Sequence, residues 1–203
     1  MTITFFSSRR LLAAIAAVLS TALAACGGGS GTQFKNVDIT GADYGKDFSL
    51  VDHAGKTRTL SDFRGKAVIV FFGYTHCPDV CPTTLAELKM AKDQLGPDAG
   101  RVQVLFVTVD PERDTRDVLA RYVPAFDPSF IGLRGDPAET AKVAKDFKVF
   151  YQKVPGTRPD NYSVDHTAGS YVFDPQGRLR LFVRPGNPAN LALDLQTLLR
   201  RPS

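Results

Sequence analysis

The stretch Ala67-Val-Ile-Val-Phe-Phe-Gly73, continued by Tyr74-Thr75-His76-Cys77-Pro78-Asp79-Val80-Cys81-Pro82, decides how the chain folds. Its first seven residues are apolar throughout, mostly β-branched or aromatic, and too few for a helix, as in a central strand covered on both faces. The residues after Pro78 change period. Leu85, Leu88, Ala91, Lys92 and Leu95 recur at three and four, the stripe of a helix over Pro78–Leu95 that Gly96-Pro97 stops. Cys77 and Cys81 therefore sit where a buried strand hands over to a helix.

Outward from this unit, strands and helices alternate. Phe48–Asp52 and Thr57–Leu60 read as strands around the turn His53–Lys56. Val102–Val109 is a second buried strand, Thr115–Tyr122 a helix, Phe130–Leu133 a short strand, and Pro137–Phe147 a helix with proline at its first turn. Tyr151–Asp165 reads as a loop. Ser170–Phe173 and Leu179–Val183 form a hairpin about Asp174-Pro175-Gln176-Gly177, and Ala189–Arg200 is the last helix. This order predicts a single α/β domain, a central sheet flanked by helices, compatible with a thioredoxin-like fold.

The chain has 203 residues, 43% hydrophobic and 23% charged, enough for one core without staples. At its start, Arg9-Arg10 precedes the apolar run Leu11–Ala25, which is shorter than the ~20 residues a membrane span needs and reads as an export signal. Leu23-Ala24-Ala25-Cys26 resembles a bacterial lipobox, in which the cysteine becomes the lipidated first residue. The expected organisation is a lipoprotein signal peptide over 1–25, a flexible lipidated tether over 26–47 and the domain over 48–203, on the periplasmic side of a bacterial envelope. The adjacent arginines fit either the general or the twin-arginine export route. Loss of Arg9 and Arg10 lowers the net charge from +4 to +2, too little to argue for nucleic acid.

With Cys26 assigned to lipid, the working thiols are Cys77 and Cys81. Four residues apart on a helical turn, two sulfurs share one face with Cβ atoms ~5–6 Å apart. A helix N-terminus favours thiolates, and Pro78 and Pro82 stiffen the turn. A disulfide here would close a loop too small to stabilise much, so the pair reads as a working dithiol. Two thiolates and one neutral donor make a trigonal site suited to copper, whereas structural zinc wants a fourth ligand. Of the three histidines, His53 lies in a turn and reads as a surface residue. His76 adjoins Cys77 but its side chain is expected to point away. His166, at the entry to the strand beside the cysteine-bearing one, is the best third donor. Asp165 is placed to steer the His166 ring or to lie around the site.

Three separated segments resemble the SCO/SenC family of copper proteins: Phe72–Pro82, Thr108–Thr115 (TVDPERDT) and Tyr162–Ala168 (YSVDHTA). The resemblance implies copper, as Cu+ or Cu2+, on Cys77, Cys81 and His166, with the same cysteines forming a redox disulfide. It implies service to the CuA site of cytochrome c oxidase subunit II, by copper delivery or by reduction of that site's thiols. The partners it implies are a periplasmic copper donor and a thioredoxin-like reductant; the membrane, reached through the lipid anchor, follows from the lipobox instead, a departure from the many family members held by a transmembrane helix. Asp110, ending the second buried strand, is expected to support the site without ligating; a helix-capping or turn role fits it equally. The three-residue spacing between cysteines, and the absence of a proline in Val164-Asp165-His166-Thr167, favour a metal carrier over a thioredoxin-type oxidoreductase.

Overall fold

Strand β4 (Ala67–Gly73) and strand β5 (Val102–Thr108) are buried at every residue, so neither shows an alternating polar face. In this computed structural model, which describes residues 33–158 and 161–200, the two run parallel, from Ala67 beside Val102 to Gly73 beside Thr108. Helix α1 (Val80–Asp93) lies in the connection between them. β6 (Ile131–Arg134) continues the sheet in parallel beyond β5. The hairpin β2 (Ser49–Asp52) and β3 (Thr57–Thr59) closes that side, with β2 antiparallel to β6. On the other side, β9 (Ser170–Phe173) runs antiparallel to β4 and turns through Asp174–Gly177 into β10 (Leu179–Val183). The Asp174 carboxylate takes the amides of Gln176 and Arg178, and Gly177 supplies the positive φ of 71° that the turn needs.

Helices α2 (Arg116–Tyr122) and α3 (Pro137–Asp146) start on side-chain caps. Thr115 accepts from the Val118 amide, and Asp136 and Glu139 form a reciprocal capping box around Pro137. The final helix, α4 (Pro188–Arg200), buries Leu191, Leu195, Leu198 and Leu199 and packs against α1. With β1 (Val37–Asp38) added, the sheet order is β1-β10-β9-β4-β5-β6-β2-β3. Phe34 onward forms one compact unit, the mixed α/β domain with a central sheet that the sequence predicts. Among the described residues no helix is long and apolar enough to cross a membrane.

Two expectations are corrected. The tether does not extend to residue 47. The buried Asp194 carboxylate on α4 takes the backbone amides of Lys35 and Asn36, β1 pairs with β10, and Tyr44 packs edge-on to Tyr171. These partners lie far along the chain, so local polarity misreads the segment as loose. Residues 26–32, the leader and Cys26 lie outside the described residues. The expected loop Tyr151–Asp165 is instead a hairpin, β7 (Tyr151–Arg158) and β8 (Asn161–His166), separate from the main sheet. Pro155 and Gly156 interrupt its pattern, and most of its side chains face solvent, so alternation is weak there.

Candidate metal centre

The site lies where β4 ends. Gly73 and Tyr74 lead into a turn that Asp114 ties down. The Asp114 carboxylate, fully buried, accepts from the Thr75 amide (3.0 Å), the Thr75 hydroxyl (2.6 Å) and the Thr108 hydroxyl (2.6 Å). Burial pushes the Asp114 carboxyl up, and the threonine hydrogen bonds oppose that shift. Cys77 follows in the turn, half-buried, and Cys81 is wholly buried near the start of α1.

The sulfurs converge for a reason other than the expected shared helical face. Cys77 precedes the helix, which starts at Val80, and its Sγ accepts from the Cys81 backbone amide at 3.4 Å. Sulfur thus satisfies one of the orphan donors of the helix N-terminus, which fixes it beside Cys81. Burial pushes the Cys81 thiol up from its ordinary range, and the neighbouring Cys77 sulfur adds to that shift, so a cation that binds there displaces a proton.

Gly73 makes room for Cys81. A Cβ there would come within 2.9 Å of the Cys81 Sγ and 2.9 Å of the Phe106 ring. Gly73→Ala is therefore expected to cost about 1–3 kcal/mol by overpacking and to displace the sulfur from the cluster. Denaturant unfolding together with Cu(I) titration checks this; unchanged values in both would show that the sulfur has space to yield.

β8 brings the third donor. Tyr162, Val164 and His166 share one face of the strand, while Ser163 and Asp165 point to solvent. His166 packs edge-on between Phe71 (6.2 Å) and Tyr74 (6.0 Å). Its Nε2 lies 3.4 Å from the Cys81 Sγ, and its Nδ1 faces the Thr167 carbonyl at 3.0 Å. A carbonyl only accepts, so Nδ1 carries the hydrogen and Nε2 keeps its lone pair. Burial lowers the His166 pKa, which keeps the ring neutral. The orienting group is thus the Thr167 carbonyl; the exposed Asp165 acts on the ring only through its charge.

The donor atoms of Cys77, Cys81 and His166 lie within 4.8 Å of one another. Donors around a trigonal ion with bonds of ~2.0–2.3 Å sit about 3.5–4 Å apart. Two soft sulfurs and one neutral imidazole at such spacings can hold a thiophilic ion such as copper.

Asp110 is no ligand. Fully buried, it accepts from the Tyr162 hydroxyl at 2.7 Å and pairs with the Arg113 guanidinium. Arg113 lies 3.5 Å over the Tyr162 ring, and its Nη1 donates to the Tyr162 carbonyl at 2.9 Å. Asp110 therefore fastens the strand that carries His166, four residues beyond Tyr162. The segments TVDPERDT and YSVDHTA contain all three residues, but sequence spacing does not reveal that they clasp each other. His53, expected at the surface, is half-buried, with its Nδ1 accepting from the Gly132 amide at 3.0 Å.

Fold and site together define a thioredoxin-like domain in which two cysteines and one histidine converge as a group that could hold a metal ion. The sequence pattern of the SCO1/SenC family matches residues 37–200. The mitochondrial SCO2 homologue of Bos taurus is 45% identical over 133 residues, 64% of this chain and 50% of its own length. The copper-bound ScoI structure from Bradyrhizobium japonicum is 44% identical, with a TM-score of 0.70 over 75% of this chain and 98% of that one. The apo Sco1 of Thermus thermophilus is 45% identical, with a TM-score of 0.73 over 84% of this chain and all of that one. The chain belongs to the SCO1/SenC family. It spans about half the length of the mitochondrial SCO2 homologues it matches.

Proposed function

We propose that this protein is a copper carrier. It holds one copper ion on the Cys77 and Cys81 sulfurs and the His166 Nε2, and supports assembly of the CuA site in subunit II of cytochrome c oxidase. The convergence of these three donor atoms within 4.8 Å carries the reading. The soft donor set and the likeness to a copper-bound ScoI support copper as the cargo. Copper is received from a periplasmic donor and passed on, so the protein binds and transfers without turnover.

A reductant role for the same dithiol is the second reading. Both cysteines are free, with Cys77 reaching solvent and Cys81 enclosed, an arrangement of one accessible thiol and one partner behind it. The two roles exclude each other in time. Copper needs both sulfurs reduced, and disulfide formation removes two of the three donors. Oxidised protein is expected to bind no Cu(I) beyond background, and a dithiol reductant of the thioredoxin type to restore one ion per chain. Equal uptake by oxidised and reduced protein would defeat the assignment.

Attachment to the periplasmic face of a membrane through lipid on Cys26 completes the proposal, resting on the lipobox-like Leu23–Cys26. Mass spectrometry of detergent-extracted protein is expected to find an acylated N-terminal Cys26. An unmodified Cys26 still joined to residues 1–25 would rule this out.

A further inference from the structure

An open cavity of about 580 Å³ lies at the far end of the sheet from the donor cluster. Phe173, in its wall, pairs with Val68 near the start of β4, whereas the donors lie past the end of that strand at Gly73. The seven residues of β4 separate the two ends by roughly 20 Å. The cavity is lined by Tyr44, Lys46, Arg178 and Arg180 among others, and by no carboxylate. More cations stand around it. Lys148 lies 4.3 Å over the Tyr44 ring, and Arg64 donates to the Gln176 carbonyl in the adjoining turn. Lys66 stands beside that turn, because the neighbouring Gly65 amide bonds the Pro175 carbonyl. Six cations thus gather here against Asp43, Asp47 and Asp174. Asp174 is buried and shared by Arg178 and Arg180. Among the described residues, no ion pair joins Lys46, Arg64, Lys66 or Lys148 to a carboxylate.

The charge of the protein is therefore polarised. Without residues 1–25 the chain carries +2, so an excess of three at this end leaves the remainder slightly acidic. The N-terminal segment enters at the same end. The Arg180 guanidinium lies 5.5 Å over the Phe34 ring, and its Nε donates to the Thr40 hydroxyl at 2.9 Å. Residues 26–33 span at most about 29 Å, so an anchor at Cys26 keeps this end near the membrane. We propose that the basic end docks on an anionic phospholipid surface, with headgroup phosphates against Lys46, Arg64, Lys66 and Arg178. The cavity falls within the ~300–1,000 Å³ of small-ligand sites, room for one headgroup. Docked in this way, the protein turns Cys77, Cys81 and His166 away from the lipid, toward a soluble partner domain. This extends the membrane reading above, but face and anchor fail separately, because a chain without acyl groups keeps all six cations.

Vesicle sedimentation tests the face without the anchor. Residues 26–203 carrying Cys26→Ser keep every described residue and bear no lipid. At low salt they should partition onto phosphatidylcholine vesicles containing phosphatidylglycerol at least about tenfold more strongly than onto phosphatidylcholine alone, and added salt should shrink the difference. Lys46→Gln with Lys66→Gln should lower the partition about tenfold, since each cation at an anionic surface counts for roughly a factor of five. Lys153→Gln, on the hairpin that carries His166, should leave it unchanged. Equal partition onto both vesicles, or an equal loss from Lys153→Gln, overturns the proposal. Release by soluble glycerol phosphate does so too, and assigns the cavity to a free phosphate. In the membrane-extracted full chain reconstituted into nanodiscs, Lys46 and Lys66 should be acetylated several-fold more slowly with phosphatidylglycerol than without, and Lys153 at one rate. Protection with an unmodified Cys26 defeats the anchor alone; an acylated Cys26 without protection defeats the face alone.

Discussion

Replacing His166 with alanine is expected to weaken copper binding by about 10²–10³-fold while leaving the two sulfurs in place. The size follows from ligand arithmetic: a four-ligand structural metal site is worth about 10–16 kcal/mol, so one ligand carries roughly 2.5–4 kcal/mol. Binding is not abolished, because two thiolates still hold Cu(I). Cu(II) should lose more, and its thiolate charge-transfer absorption should change, since the imbalance between sulfur and nitrogen donors grows. The ring is packed between Phe71 and Tyr74, so the variant also leaves a cavity, and its melting temperature should be recorded without metal. His53→Ala is the control, because the only described partner of that ring is the Gly132 amide. If His53→Ala weakens copper and His166→Ala does not, the ligand set is wrong.

The second large effect is expected away from the metal. Arg113→Ala leaves the Asp110 carboxylate, fully buried, with no cation against it. Breaking one partner of a buried pair costs about 3–5 kcal/mol, because the surviving charge keeps its desolvation penalty. The exposed pair Lys142–Asp146 is the useful contrast, being worth only about 0.3–0.5 kcal/mol. The Arg113 loss should not be spread evenly. Arg113 also covers the Tyr162 ring and bonds its carbonyl, and burial together with the hydrogen bond to Asp110 pushes the Tyr162 hydroxyl up to about 12. Hydrogen exchange should therefore rise first in β8, and copper affinity should fall as His166 loosens. Arg113→Ala combined with Asp110→Asn should recover part of the stability, since it removes the stranded charge. A cost below about 1 kcal/mol for Arg113→Ala, with unchanged exchange in β8, would show that the clasp does not hold the strand.

How much of this the sequence reveals depends on the range of the interactions. Ala67–Gly73 and Val102–Thr108 are legible because burial on both faces forces unbroken apolar runs. The helix from Pro137 is legible because proline at a first turn is a local signal; the caps by Thr115 and Asp136 come from the structure. The candidate donors Cys77, Cys81 and His166 stand out by residue type and by their place relative to buried strands. The packed segment from Phe34 and the β7–β8 hairpin do not stand out. Their partners, such as Asp194 for Lys35 and Asn36, lie far along the chain, and their faces are largely polar. Local pattern also misses how deeply Cys81 is buried, which pushes its thiol up and comes only from the packed structure. The clasp of Asp110, Arg113 and Tyr162 is invisible for the same reason, although each member lies in a conspicuous motif.

The most direct measurement is Cu(I) titration of the reduced domain followed by X-ray absorption at the copper edge. A saturation point at one ion per chain, with two sulfur scatterers and one nitrogen around it, is the predicted result. A shell of sulfur alone, a shell of nitrogen and oxygen alone, or no saturable uptake by fully reduced protein would contradict the assignment of Cys77, Cys81 and His166 as a single copper site.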